Sequence, residues 1–478
     1  MESRRKFVKK AIIGGAALAA VPLILSNFGG EENHSNINMD KFLQACSNGN
    51  ISKVKELLEN NKNLLSVKDN IGRTGFVLAL LAGHKNLGEF LKKSGYQVDL
   101  HESALSLDWE SYDSLLGEES ELTKDVINTY HPMGGNVMWA AATGGAGKDM
   151  WRIYAKCGNP NLSFKNENGT TPIQKALRYS NLAVAELTAA ALLSNNTNPN
   201  PAKNADLPPL HIAAKRGSYE MVEMLIRLGA DVDRKDINGD LAIKLAEREG
   251  HKSVFDLIAT HNEIPRTVHT SRLAYDRDGN TYKKPNINEI PLYLRRRLVG
   301  MSHGNFDYVK KTVQADARMA HSVATTSEIC VEACAHIGNK KIVEFLIENG
   351  APYSLPTAVM LNDFTTVKRL LDEDPNRIYE RGAHDFALLW YPIIGRSGTD
   401  MTELLINRGA KVEEQHFLGT TALHWASQRE QFDQVELLVA NGADVNRIGR
   451  KFESEGETPL QSTKNDEIRK FLISKGAK

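Results

Sequence analysis

Pro208-Pro209-Leu210-His211-Ile212-Ala213-Ala214, then Gly217, then Met221-Val222-Glu223-Met224-Leu225-Ile226 and Gly229-Ala230-Asp231-Val232-Asp233, is the stretch that decides the fold. It is answered almost letter for letter by Thr421-Ala422-Leu423-His424-Trp425-Ala426, Val435-Glu436-Leu437-Leu438-Val439 and Gly442-Ala443-Asp444-Val445-Asn446. Further copies open at Thr74-Gly75-Phe76, Thr171-Pro172-Ile173 and Thr458-Pro459-Leu460, and weaker ones near Asp40, Val137, Leu241, Leu298, Val331, Thr357 and Ala387. Thr or Pro suits the opening of a first helix, because the N–H that proline lacks has no intrahelical partner in a first turn. Val222, Leu225 and Ile226 recur at helical spacing, so the second helix carries an apolar stripe. Gly229, Gly350, Gly409 and Gly442 stand where a left-handed residue stops that helix. Asn168-Gly169, Asn238-Gly239 and Leu418-Gly419 mark the tip of a hairpin-like finger before the next unit.

The unit resembles the ankyrin repeat, a helix-turn-helix of ~33 residues opening with Thr-Pro-Leu-His-x-Ala. The resemblance implies an all-α repeat solenoid of about twelve helix-turn-helix units with short hairpin-like fingers. It also implies that His211 and His424 make a structural hydrogen bond to the adjacent turn. No single repeat encloses its own apolar face, so stability arises from stacking and the end repeats must be atypical. The first repeat indeed lacks the Thr-Pro opening, and the last carries the polar Gln461-Ser462-Thr463-Lys464 in place of an inner helix. We divide the chain into a signal segment (1–26), a flexible tether (27–39), an N-terminal lobe (40–263), a non-repeat insert (264–292) and a C-terminal lobe (293–478). The N-terminal lobe contains an irregular stretch, 102–135. In the insert, Leu273-Ala274-Tyr275 and Thr281-Tyr282 flank Asp278-Gly279, a hairpin signal.

Lys+Arg and Asp+Glu both number 59 in the 478 residues, so no basic surplus exists to drive nucleic-acid binding. The first residues differ from the rest. Met1 to Lys10 carries five Lys or Arg against one Glu, and Ala11 to Leu25 has no polar side chain. That run is short for a membrane span of ~20 residues and suits the apolar core of an export signal. Ser3, Arg4, Arg5, Phe7 and Lys9 resemble the twin-arginine pattern Ser/Thr-Arg-Arg-x-Phe-Leu-Lys, with Val8 the departure. The resemblance implies export of a folded protein across a bacterial inner membrane by the twin-arginine machinery, hence a periplasmic location. Ala17-Leu18-Ala19, the small-x-small site nearby, would cut the apolar run in half, so an uncleaved signal acting as inner-membrane tether stays open.

Candidate chemistry fails motif by motif. Gly144-Gly145-Ala146-Gly147-Lys148 has Ala142 and Asp149 where a phosphate loop needs Gly and Ser or Thr. Asp276-Arg277-Asp278-Gly279-Asn280 would place Ile287 at the bidentate position of a calcium loop. Cys334 falls on an alanine position of the repeat, as does Cys46, so these thiols are expected to pack; an unusual site pairing Cys330 with His336 is the alternative. Arg295-Arg296-Arg297 reads as a solvated helical face. Pro392 falls where an inner helix should continue, at a penalty of ~3 kcal/mol, which leaves two readings open, a merely degenerate repeat or a binding hot spot at Trp390 and Tyr391. No catalytic residue, cofactor or metal is expected.

What remains is a protein-binding scaffold. Ankyrin arrays use finger tips and inner helices, which here implies Lys68, Asp69, Asn70, Lys165, Asn166, Glu167, Lys235, Asp236, Ile237, Gln415, His416 and Phe417 at the tips. On the inner face it implies Lys215, Arg216, Trp425, Gln428 and Arg429. The partner would be an exported or membrane-bound protein, such as an enzyme to which this chain is accessory. The competing reading is a periplasmic cofactor- or metal-carrying enzyme whose site has no recognised motif.

Overall fold

A computed structural model describes residues 34–117, 123–150, 152–153, 161–195, 197–202, 206–264, 268–269, 276–277, 282–283, 285–324, 328–416, 418–450 and 456–478. They form two compact units, one ending at Leu115 and including Tyr130–Gly135, the other comprising Leu116–Thr129 and Asn136–Lys478. Among the described residues no helix is long and apolar enough to cross a membrane.

The first unit is built from helix pairs. His34–Ser47 with Ile51–Asn60, and Gly75–Leu81 with Lys85–Lys93, enclose Phe42, Leu43, Cys46, Val54, Leu57, Phe76, Leu87 and Leu91. The stretch without repeat letters is helical as well. Asp99 caps helix Leu100–Ser106 by accepting the Glu102 N–H at 2.9 Å, and Glu102 reaches back to the Asp99 N–H at 3.1 Å.

In the second unit, inner and outer helices alternate over most of the described residues. Inner helix Pro209–Lys215 carries Pro209 in its first turn, and outer helix Tyr219–Arg227 buries Met221, Val222, Met224, Leu225 and Ile226. Gly217 reverses the chain between them at φ +70°, where a Cβ would also lie 2.5 Å from the His251 ring. Five more pairs follow the insert's start: Leu292–Ser302 with Phe306–Ala315, Cys330–Ala335 with Lys340–Glu348, Leu355–Met360 with Phe364–Glu373, Trp390–Gly395 with Asp400–Asn407, and Ala422–Gln428 with Phe432–Ala440. One continuous apolar core runs through them, from Ile287 to Ala477. The final helix, Asp466–Ser474, has no inner partner, because Gln461 and Ser462 lie in a turn.

His424 ties its own repeat to the next. Its Nδ1 accepts the Thr421 N–H at 3.1 Å, and its Nε2 donates to the carbonyls of Arg447 at 3.1 Å and Glu457 at 3.0 Å. His211 likewise donates from Nε2 to the Asp240 carbonyl at 3.0 Å. Both histidines thus hold the adjacent turn, as the resemblance implied.

One expectation is revised. Pro392 does not interrupt an inner helix, because that helix starts only at Trp390. Proline therefore occupies the first turn, where its missing N–H has no intrahelical partner, and the penalty vanishes. In the insert, Leu273-Ala274-Tyr275, Asp278-Gly279 and Thr281 lie outside the described residues. Among the described residues of the insert, Val268–His269 pairs in parallel with Glu380–Arg381, a strand partner more than a hundred positions away.

Leu225 is fully buried, so Leu225→Ala should lower unfolding free energy by ~2–5 kcal/mol in a denaturant titration. Burial pushes His424 down to about 4 from 6.5. Between those values the unfolded chain binds the extra proton, so the stabilising contribution is complete above pH 6.5 and is lost as pH falls towards 4. The stability difference between the protein and His424→Gln should shrink over that window by on the order of 3 kcal/mol.

Candidate functional site

The fingers owe their shape to one carboxylate or amide each. Asp236 Oδ1 accepts the N–H groups of Asn238 at 2.8 Å and Asp240 at 2.9 Å. Asn166 does the same for Asn168 and Thr170, and Asp69 for Ile71 and Arg73. These three are turn-forming residues, with their acceptors engaged by their own fingers. Their neighbours Lys68, Asn70, Lys165, Glu167, Lys235 and Ile237 point to solvent, Ile237 with 61 % of its surface exposed. On the inner face Lys215 and Gln428 are exposed. Arg216 instead donates to the carbonyls of Leu177 at 2.5 Å and Tyr179 at 2.6 Å, bridging to the preceding repeat.

The later fingers have a different fate, because they dock on outer helices of earlier repeats. Arg227, at the end of helix Tyr219–Arg227, lies 2.7 Å from Asp385, and both are almost wholly buried. Burial opposes the Arg227 charge, but Asp385 and Glu223 outweigh it and hold the guanidinium above its ordinary value. Arg381 donates to the Gln415 carbonyl at 2.8 Å and lies 3.4 Å from Glu414. Gln415 in turn donates to Glu223 and accepts the Gly419 N–H at 2.6 Å. Arg450 meets Glu186 at 2.5 Å, and Lys411 donates to the Glu263 carbonyl at 2.7 Å. A cleft of about 290 Å³ opens along this seam, and its walls include the Arg227, Glu223, Arg381 and Glu414 side chains. These are paired charges, not a nucleophile beside a base.

Gln415 and His416 are therefore corrected from tip surface to buried contacts. Trp390 and Tyr391 are corrected too, from hot spot to core: both are fully buried, with Trp390 4.9 Å from Phe386 and 4.9 Å from His416, centroid to centroid. Trp425 is buried in the same cluster, 6.1 Å from Trp390, with the half-buried Arg429 guanidinium 5.2 Å above its ring. Phe417 lies outside the described residues, as do Ser3, Arg4, Arg5, Phe7 and Lys9.

A polar cluster that motif reasoning missed lies beside those aromatics. Glu328 Oε1 stands 3.2 Å from His384 Nε2, 3.3 Å from His336 Nδ1 and 3.6 Å from His303 Nε2. His303 and His336 are the residues that end inner helices Leu292–Ser302 and Cys330–Ala335, one repeat apart. His384 comes from a finger, with φ +56°, and Asp385 follows at φ +67°. Two successive non-glycine residues in the left-handed region mark a strained segment held by its surroundings. Burial pushes the His336 imidazole down to about 3. Burial would raise the Glu328 carboxyl, but the imidazoles of His384, His336 and His303 hold it at about 2. Cys330 and Cys334 take no part. They are free and buried, and Cys334 Sγ donates to the carbonyls of Val331 at 3.2 Å and Cys330 at 3.3 Å. His336 thus pairs with Glu328, not with Cys330. A second group, Asp99, Glu102 and His131, belongs to the first unit, and its carboxylates already accept from Tyr96, Thr74, His131 and two backbone N–H groups.

Short inner helices, amphipathic outer helices and glycine-tipped fingers define a helical repeat solenoid. The chain belongs to the ankyrin-repeat family: the pattern described as Ankyrin repeats (3 copies) matches residues 137–236, 186–269, 355–449 and 395–478, more than half the chain. It is 25 % identical over 155 residues to the ankyrin repeat protein L271 of Acanthamoeba polyphaga mimivirus, covering 32 % of this chain and 21 % of that protein. It is 39 % identical over 90 residues to human cyclin-dependent kinase inhibitor 2A, covering 19 % and 54 %. To mouse cyclin-dependent kinase 4 inhibitor B the identity is 38 % over 90 residues, covering 19 % and 65 %. The chain thus spans less than two thirds of each of these relatives.

Asp385→Asn should isolate the buried Arg227 charge while keeping a residue that tolerates left-handed backbone. A loss of about 3 kcal/mol is expected in chemical denaturation, at the lower end for a broken buried pair because Glu223 remains 3.6 Å away.

Proposed function

We propose that this chain is an exported, non-enzymatic scaffold that binds a protein partner through its free finger tips and inner-helix side chains. The observation that carries the proposal is Ile237, a large apolar side chain 61 % exposed at the tip of a finger that Asp236 holds rigid. Lys235, Lys165 and Glu167 surround the same kind of tip in two fingers, which gives an apolar anchor with a polar rim. The named kinase inhibitors among its relatives support a protein as the partner class. Engagement of the Gln415 and Arg450 fingers within the chain supports the earlier fingers and Lys215 as the partner surface. The basic start and apolar run of residues 1–25 support twin-arginine export to the periplasm. An exported or membrane-bound enzyme to which the chain is accessory fits that location.

The alternative, a cofactor- or metal-carrying enzyme, draws support from one observation, the cluster around Glu328. That cluster supplies ligands for an ion but no nucleophile paired with a base, so the scaffold reading is preferred.

A photo-crosslinking residue placed at Ile237 should yield one dominant adduct in intact cells, whereas the same residue at the exposed Ile473 of the last helix should not. Adducts of equal yield at both positions, or none at Ile237, would contradict the binding surface. Replacing Arg4 and Arg5 together with Lys should leave the protein in the cytoplasm; unchanged periplasmic recovery would remove the export reading.

A further inference from the structure

We propose that His303, Glu328, His336 and His384 form a binding site for one divalent first-row transition-metal ion, with zinc the preferred occupant. The ligand atoms of the four side chains all lie within 4.8 Å of one another. Four ligands at ~2.1 Å around a tetrahedral zinc are separated by about 3.4 Å. The three imidazole nitrogens stand 3.2, 3.3 and 3.6 Å from Glu328 Oε1, on either side of that value.

The second observation is independent of those spacings. Glu328 Oε1 is buried and aimed among the three rings, and although all three ring nitrogens lie within 3.6 Å of it, none meets it at full hydrogen-bond geometry. A buried carboxylate oxygen surrounded by ring nitrogens, none aligned as a donor to it, is poorly satisfied, and an ion bound between them resolves it. By contrast, the carboxylates of the Asp99, Glu102 and His131 group already have donors, so no ion is needed there.

The surroundings fit a metal centre. His303 Nδ1 faces the carbonyls of Gly300 at 3.1 Å and Val299 at 3.2 Å; a carbonyl only accepts, so Nδ1 holds the proton and Nε2 is left as the ligand atom. His336 Nδ1 lies 2.9 Å from the Glu332 carbonyl, so taking up the ion exchanges that hydrogen bond for a metal bond and moves the imidazole proton to Nε2. Side-chain exposure of 37 % at His303 and 20 % at His384 leaves an entry path, while Glu328 and His336 close the floor. Three imidazoles and one carboxylate, without thiolate, select zinc and its neighbours over calcium or magnesium. His384 adjoins Asp385, the buried partner of Arg227, so loading the site also fixes the finger that docks on helix Tyr219–Arg227.

The full chain, stripped with a chelator, would be titrated with zinc and, separately, with cobalt(II). One equivalent of zinc should remain after gel filtration, and cobalt should develop the visible absorption of a tetrahedral site. X-ray absorption at the zinc edge should report imidazole and carboxylate ligands and no sulfur. His384→Gly, which suits the left-handed backbone, and Glu328→Gln, which preserves shape, should each weaken zinc binding by at least about a hundredfold. If either variant fails to fold, the absorption spectrum of the wild-type chain decides by itself. Retention of less than a tenth of an equivalent by the wild-type chain would overturn the site. Sulfur in the first shell, or folded variants that bind as tightly as the wild type, would do so equally.

Discussion

No helical hairpin in this chain can cover its own apolar side. Helix Tyr219–Arg227 buries Met221, Val222, Met224, Leu225 and Ile226, and all of that burial comes from neighbouring elements, since a hairpin of two short helices has no interior. The same constraint explains the small residues of the inner helices, where Ala213, Ala214, Ala333, Ala335 and Ala358 are fully buried against the repeats on either side. It also makes each connection between repeats matter. The imidazoles of His211 and His424 are spent on that connection, each donating to the next turn, and they are for that reason unavailable as acids or bases.

Stacking along the array is supplemented by contacts across it. The Arg227–Asp385 pair, the Gln415 bridge to Glu223 and the Arg450–Glu186 pair join outer helices of repeats before the insert to fingers of repeats after it. A finger is an effective docking element because its backbone is already fixed by its own turn. The result is a division among the fingers. Those exemplified by Lys235 and Ile237 keep their tips exposed to solvent, whereas those carrying Asp385, Gln415 and Arg450 hold the second unit together.

How much of this was legible in the sequence depends on how local each signal is. The repeat, its caps and its stops are local: Thr421 with His424 and Gly442 can be read from a single window, as can the packing role of Cys334. The buried clasp is not, because Arg227 and Asp385 are ordinary charged residues until the fold brings them together across 158 positions. Trp390 and Tyr391 were misread for a different reason. The start of their helix lies three residues later than repeat spacing places it, so an allowed first-turn proline was taken for a broken rule. The histidine cluster stands between these cases. His303 and His336 share one register position a repeat apart, which self-alignment can reveal, but Glu328 and His384 come from fingers. The left-handed backbone that turns His384 inwards carries no glycine to announce it.

Stacking and the clasp together make the second unit one cooperative structure. Hydrogen exchange read by mass spectrometry on peptides covering 209–227 and 380–395 tests it most directly. Under conditions where opening is rate-limiting, both peptides should exchange at the same rate and respond together to added denaturant. Early, independent exchange of 380–395 while 209–227 stays protected would mean that the fingers only rest on the outer helices, contradicting the claim.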